Sequence, residues 1–165
     1  MSMIAFFGAL ESGLIYALMA LGVLISFRIL DFPDLTADGS FPLGGAVAAV
    51  SIIAGLNPWL ACLFGMMAGM AAGMITAWLH VKLGILHLLA GILMMTALYS
   101  INLRIMDAPN LPLLGQASVF SPFIEGGNGF WVRVVVIAGV VLVVKLALDW
   151  FFNTETGLAM RATGS

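Results

Sequence analysis

Trp59-Leu-Ala-Cys-Leu-Phe-Gly-Met-Met-Ala-Gly-Met-Ala-Ala-Gly-Met-Ile-Thr-Ala-Trp78 is the stretch that decides the fold. It holds no charged residue, and its two tryptophans stand nineteen positions apart. At about 1.5 Å of rise per residue a helix carries one indole to the other across the roughly 30 Å hydrocarbon core of a bilayer. Indole rings favour the two interfaces, so the stretch reads as a membrane-spanning helix. Trp131 and Trp150 bracket a second span of the same length.

Two rows of residues run along the first of these spans. Ala61, Gly65, Gly69, Gly73 and Ala77 recur at steps of four, and small residues on one helix face let a neighbouring backbone approach closely within a membrane. This row is expected to be a packing face, as is Ala5, Ala9, Gly13 and Ala17 nearer the N-terminus. Beside it run Met66, Met70 and Met74. Thioethers are soft ligands suited to Cu(I), but Met also fills irregular gaps, which is the simpler reading. Cys62, the single cysteine, stands one turn from Met66; it excludes a disulfide framework and a multi-cysteine metal site.

The composition of the 165 residues agrees: 62% are hydrophobic and 8% charged, against about 25% charged in a soluble domain. Six Lys and Arg against eight Asp and Glu leave no basic face for nucleic acid. No GxxxxGK[ST] phosphate loop occurs, so no ATPase activity is expected of this chain. Because a charge is costly at the bilayer centre, the few charges delimit the segments. Residues 39–81 carry none, too many for one crossing, and Gly55-Leu-Asn-Pro58 supplies a turn between segments 41–54 and 59–78. Residues 4–26, interrupted by Glu11, and 84–103, containing His87, make further spans. The expected fold is an all-α polytopic membrane bundle of five hydrophobic segments forming a single transmembrane domain over residues 1–165. The first apolar run has no preceding Lys or Arg and no small-residue cleavage pattern, so a removable signal peptide is not expected. An outside N-terminus puts Arg28, Lys82, Lys145 and Arg161 inside and Arg104 and Arg133 outside, in line with the positive-inside bias.

Segment 41–54 is the odd one. Fourteen helical residues cover only about 21 Å, and Asp31-Phe-Pro-Asp-Leu-Thr-Ala-Asp-Gly-Ser40 precedes them. A short or broken helix at membrane depth is tolerated where it is packed in protein or lines a watery cavity. Asp31, Asp34, Thr36, Asp38, Gly39 and Ser40 are therefore candidate residues of a conduit, the alternative being a solvated loop with Ser40 as helix N-cap. Glu11 either snorkels, stays protonated or faces a pore. His87 reads as a satisfied interior histidine, and Arg104 with Asp107 as an interfacial pair. The stretch 104–130, with Pro109, Pro112, Pro122, Gly126, Gly127 and Gly129, reads as a long outer loop of the kind that tends to be functional.

Gly13-Leu-Ile-Tyr-Ala-Leu-Met-Ala-Leu-Gly-Val-Leu-Ile-Ser-Phe-Arg28, continuing through Asp31-Phe-Pro-Asp-Leu-Thr-Ala-Asp-Gly-Ser40, resembles the first helix and following broken helix of bacterial ABC importer permeases of the branched-chain amino acid and sugar type. Leu89-Ala-Gly-Ile-Leu-Met-Met-Thr-Ala-Leu-Tyr-Ser-Ile-Asn-Leu-Arg104 and Thr156-Gly-Leu-Ala-Met-Arg-Ala-Thr-Gly164 are similar to the subgroup of tryptophan, tyrosine and other amino-acid importers. The resemblance implies a pair of permeases enclosing a path in the inner membrane. It also implies ATP-binding subunits in the cytoplasm and a solute-binding protein outside, with ATP held by the partner and no cofactor in this chain. It puts residues 31–40 beside the path, and Thr156, Gly157, Arg161, Ala162, Thr163 and Gly164 in the loop leading to the ATPase contact. It further implies a chain about twice this length, so that 165 residues would be the N-terminal half of a permease: a fragment, a truncation or a split subunit. Two rival classes remain, an ion or soft-metal channel using the methionine row and a scaffold whose glycine stripe only assembles complexes.

Overall fold

The structure, a computed structural model, describes residues 2–124 and 129–164. Among the described residues it is all helix and turn, with five helices long and apolar enough to cross a membrane. Its contacts divide the chain into two compact units, residues 1–32 with 120–165, and residues 33–119.

The first unit holds α1 (Met3–Leu24), α5 (Ser121–Ile124), α6 (Gly129–Phe152) and α7 (Glu155–Thr163). Ser2 caps α1, its side chain accepting from the Ala5 N–H. At its far end α1 widens into a π turn, Ile25–Ile29, in which the Leu30 N–H donates to the Ile25 carbonyl at 3.0 Å and the Phe32 N–H to the Ser26 carbonyl at 2.8 Å. The helix has to end here, because Pro33 pushes Phe32 away from helical backbone. Asp31 takes a left-handed φ of 49° at the exit. The rings of Phe7 and Trp131 meet edge to face at 4.4 Å, and Gly164 lies against the backbone of Ile29 and Leu30. With like ends together, α1 and α6 run in the same direction.

The second unit holds α2 (Thr36–Ile53), α3 (Pro58–Leu83) and α4 (His87–Met106). Gly55, at φ 85°, turns the chain after α2. Asn57 then accepts from the Trp59 N–H at 3.0 Å and Pro58 opens α3, a position where its missing N–H costs nothing. Gly84, at φ 66°, stops α3 in the left-handed conformation that glycine adopts freely. The second helix packs against both others, and Leu43, Ala72, Met94 and Leu98 form the core where all three meet. Thr36 pairs with Thr76 and Gly44 with Gly65, so α2 and α3 are antiparallel.

Several expectations change. The helix foreseen over 41–54 begins five residues earlier and has 18 residues, because Asp34 rather than Ser40 meets its first free N–H. Ser40 lies inside α2 and donates to the Ala37 carbonyl at 3.4 Å. In the glycine row of α3, Ala61 and Gly65 are buried and Gly69 is half-buried, while Gly73 and Ala77 are exposed. The buried row is instead Ala61, Gly65, Ala72 and Thr76. A strict step of four advances about 40° beyond each full turn of 3.6 residues, so the glycine row drifts off the contact face. On α1, Ala5, Ala9 and Gly13 are exposed within the unit and only Ala17 is half-buried. Met66, Met70 and Met74 are exposed rather than filling gaps. The long loop shortens too, since α4 runs on to Met106 and α6 starts at Gly129; Gly126 and Gly127 lie outside the described residues.

Candidate functional site

The aspartate-rich segment is built into the second unit from Pro33 onward. Asp34 Oδ1 accepts from the Thr36 N–H at 2.8 Å, closing the turn that starts α2. This turn sits on α4 where a glycine leaves room: a Cβ on Gly91 would stand 2.8 Å from the Leu35 nitrogen and 3.1 Å from Asp34 Oδ1. One residue on, the Thr36 and Thr76 hydroxyls, both buried, lie 2.8 Å apart. Thr76 also donates to the Ala72 carbonyl at 3.1 Å. A hydroxyl carries one proton, so Thr36 must donate to Thr76, and the chain of bonds ends on the α3 backbone. Polar groups taken out of water are thereby satisfied, fixing where the second helix begins.

The next turn of α2 faces α4 through Gly39. A Cβ there would meet Leu98 Cδ1 at 3.0 Å and the Met95 Cα at 3.1 Å, so no larger residue fits this crossing unshifted. Asn102 of α4, buried, donates from Nδ2 to the Gly39 carbonyl at 3.5 Å. Its Oδ1 is buried with no hydrogen-bond partner. Alongside opens a groove of about 510 Å³, walled by Asp38, Gly39 and Pro42 from α2 and by Met95, Thr96, Tyr99 and Asn102 among others from α4. Pro42 lies within α2 and has no N–H to give the Asp38 carbonyl four residues back.

Of the six residues expected beside a conduit, Thr36 and Gly39 are buried, Asp34 and Ser40 half-buried, and Asp31 and Asp38 exposed. The structure joins Asp38 and Gly39 in one groove; Asp34 and Thr36 build the turn leading to it, and Asp31 belongs to the other unit. Thr76, Gly91 and Asn102 were missed. The signal for two of them was present, since Thr76 and Asn102 are hydrogen-bonding side chains within otherwise apolar helices, where such groups seek partners.

The segment 156–164 is a helix rather than a loop. Thr154 caps α7 by accepting from the Gly157 N–H at 3.4 Å, and Glu155 in the first turn suits the positive end of the helix dipole. Gly157 is buried against the backbone of Phe151 and Phe152, which sets the sharp bend between α6 and α7. Thr156, Arg161, Ala162 and Thr163 are exposed and Gly164 is half-buried. The Arg161 guanidinium lies over the Phe152 ring at 5.7 Å, and Arg161 lines a cavity of about 420 Å³ with Arg28.

Other residues singled out from the sequence lie outside the α2–α4 groove. His87 opens α4 rather than lying inside it, half-buried, with the His80 ring 3.5 Å away. Asp107 is the left-handed C-cap of α4 at φ 50°, and among the described residues it makes no ion pair with Arg104. Glu11 is half-buried on α1. The exposed methionine row joins no cluster of three or more His, Cys, Asp or Glu among the described residues, so the soft-metal reading gains nothing.

Five membrane-length helices, with a polar turn folded in among three of them, define a multi-pass membrane protein. Comparison narrows the class. The chain belongs to the family described as branched-chain amino acid transport system, permease component, which matches residues 5–165. It is 41% identical over 155 residues to a tyrosine transport system permease protein of Clostridioides difficile (strain R20291), an alignment covering 94% of this chain and 50% of that relative. It is 38% identical over 156 residues to an uncharacterized protein of Rickettsia prowazekii (strain Madrid E), covering 94% of this chain and 53% of that one. The chain thus spans about half the length of the curated relatives it matches. No solved structure matches it.

Proposed function

We propose that this chain forms part of the permease subunit of an ATP-driven importer of amino acids or similar small solutes. It is not itself an enzyme: a cytoplasmic ATP-binding subunit supplies the energy, a second permease copy completes the path, and an external solute-binding protein delivers the solute. The subunit sits in the bacterial inner membrane with its N-terminus outside. The observation that carries this reading is the placement of residues 34–40, a polar turn held at Gly91 and Thr76 inside the membrane unit and opening on the α2–α4 groove. A turn that merely joined two spans would need neither the buried hydroxyl chain nor the glycine seat. The family supports the transport role, and the name of the Clostridioides difficile relative makes tyrosine the first solute to test.

Largely exposed, carrying Arg161 and sharply angled from its span, α7 suits a contact with the ATPase. The test is crosslinking in the assembled transporter. Cysteines replacing Thr156 or Arg161 should crosslink to the ATP-binding subunit, and cysteines replacing Asp31, Asp34 and Asp38 should change labelling rate with nucleotide state. No crosslink from α7, together with constant labelling at all three aspartates, would overturn the reading.

A further inference from the structure

We propose that the α2–α4 groove is a binding site for the ammonium group of a small organic amine, whose apolar body lies along α4. The inference deepens the importer reading and rests on it for its biological setting, though not for its physical basis.

The groove gathers hydrogen-bond acceptors. The acidic Asp38 lines it, and the Asp38 backbone carbonyl lacks the usual helical donor because Pro42 stands four residues on. Asn102, only 6% exposed, spends Nδ2 on the Gly39 carbonyl and keeps Oδ1 buried and unbonded. Leaving such an oxygen unpaired is unfavourable, and buried polar atoms in folded proteins almost always have a partner. No Lys, Arg or His lines the groove, so no cationic side chain of the described lining answers this oxygen. A carboxylate and neutral acceptors together select a donor that is also a cation.

Size then separates an organic cation from a bare ion. A volume of about 510 Å³ lies in the range of small-molecule sites, and the walls beyond the acceptors are the apolar Met95 and Leu103 and the ring of Tyr99. Sodium would meet the acceptors and leave this apolar length unfilled. A primary amine carrying a hydrocarbon or aromatic body meets both.

The test uses the full chain in lipid nanodiscs, without ATP or other subunits, and radiolabelled tyramine, which has the amine and the ring but no carboxylate. Saturable binding should weaken at least tenfold in Asp38→Asn and at least fivefold in Asn102→Leu. Competition by 3-(4-hydroxyphenyl)propionate, which has the ring and a carboxylate but no amine, should be absent. Because Asn102→Leu alters a buried position, a second measurement stands apart from it. In a Cys62→Ala background, alkylation of Thr96→Cys should slow when tyramine is present. Equal binding by parent and Asp38→Asn, competition by the propionate, sodium displacing tyramine at equal occupancy, or unchanged alkylation would each overturn the site. Failure here with α7 crosslinks intact removes the amine site alone. Lost crosslinks and constant aspartate labelling with tyramine binding intact remove the importer reading alone.

Discussion

At the scale of single residues, glycines of one row on α3 have opposite roles, and this can be measured. A Cβ on Gly65 would come within 2.6 Å of the Gly44 carbonyl oxygen, whereas one on Gly73 meets nothing within 4 Å. Gly65→Ala should therefore destabilise the helix pair by about 1–3 kcal/mol, the usual cost of forcing atoms into a packed contact. Gly73→Ala should be neutral or stabilising by up to about 1 kcal/mol, since Ala is the better helix former. Thermal unfolding of the two variants in detergent, followed by circular dichroism, checks this, and equal shifts would refute the contact. The threonine pair gives a second asymmetry. Thr76→Val leaves the buried Thr36 hydroxyl proton without its acceptor and should cost about 1–2 kcal/mol. Thr36→Val, which leaves Thr76 bonded to Ala72, should cost under about 1 kcal/mol, near the membrane average for such bonds. A double variant less destabilised than the sum of the two would establish that the hydroxyls interact, and the larger cost of Thr76→Val would mark Thr36 as the donor. The sequence made the glycines visible as a row but not which of them touch. Contact follows the 3.6-residue turn, and only the identity of the opposing face, here Gly44, says where the row meets it.

At the scale of elements, α2 shows what local sequence could and could not decide. Its apolar second half was legible from composition, and its interior position from the breakers before it. Its start was not, because Asp34, Thr36 and Ser40 are all good capping residues and the choice falls to partners far along the chain, Thr76 and Gly91. Pro42 is the internal break, held in a helix that continues through it. Proline inside a helix usually costs about 3 kcal/mol relative to alanine, so its presence has to be offset by the packing of α2 on both neighbours. Pro42→Ala should restore an N–H for the Asp38 carbonyl and raise thermal stability. It should also weaken tyramine binding severalfold, by engaging one of the groove's acceptors. The stability gain comes from unfolding curves and the affinity from the nanodisc assay. A variant that gains stability with affinity unchanged would show that this carbonyl takes no part.

At the scale of the whole molecule, the first unit has ends of unequal charge, and this fixes how it should sit in a bilayer. In the first unit α1 and α6 are parallel, with Phe7 against Trp131 at one end and Gly164 against Ile29 at the other. Arg28 and Arg161 lie toward the second end and Arg133 toward the first. In the second unit Lys82 belongs to the last turn of α3 and Arg104 to the last turn of the antiparallel α4. Basic residues near span ends are retained on the cytoplasmic side. The first unit thus prefers its α7 end inside, the side on which the sequence reading also puts Lys82. Cysteines placed at Ser2, Lys82, Asp107 and Thr156, one at a time in a Cys62→Ala background, report this directly. A membrane-impermeant maleimide added to intact spheroplasts should label positions 2 and 107, and should reach 82 and 156 only after permeabilisation. The reverse pattern would put α7 outside, where no ATP-binding subunit could meet it, and the coupling role assigned to Arg161 would fall with the orientation.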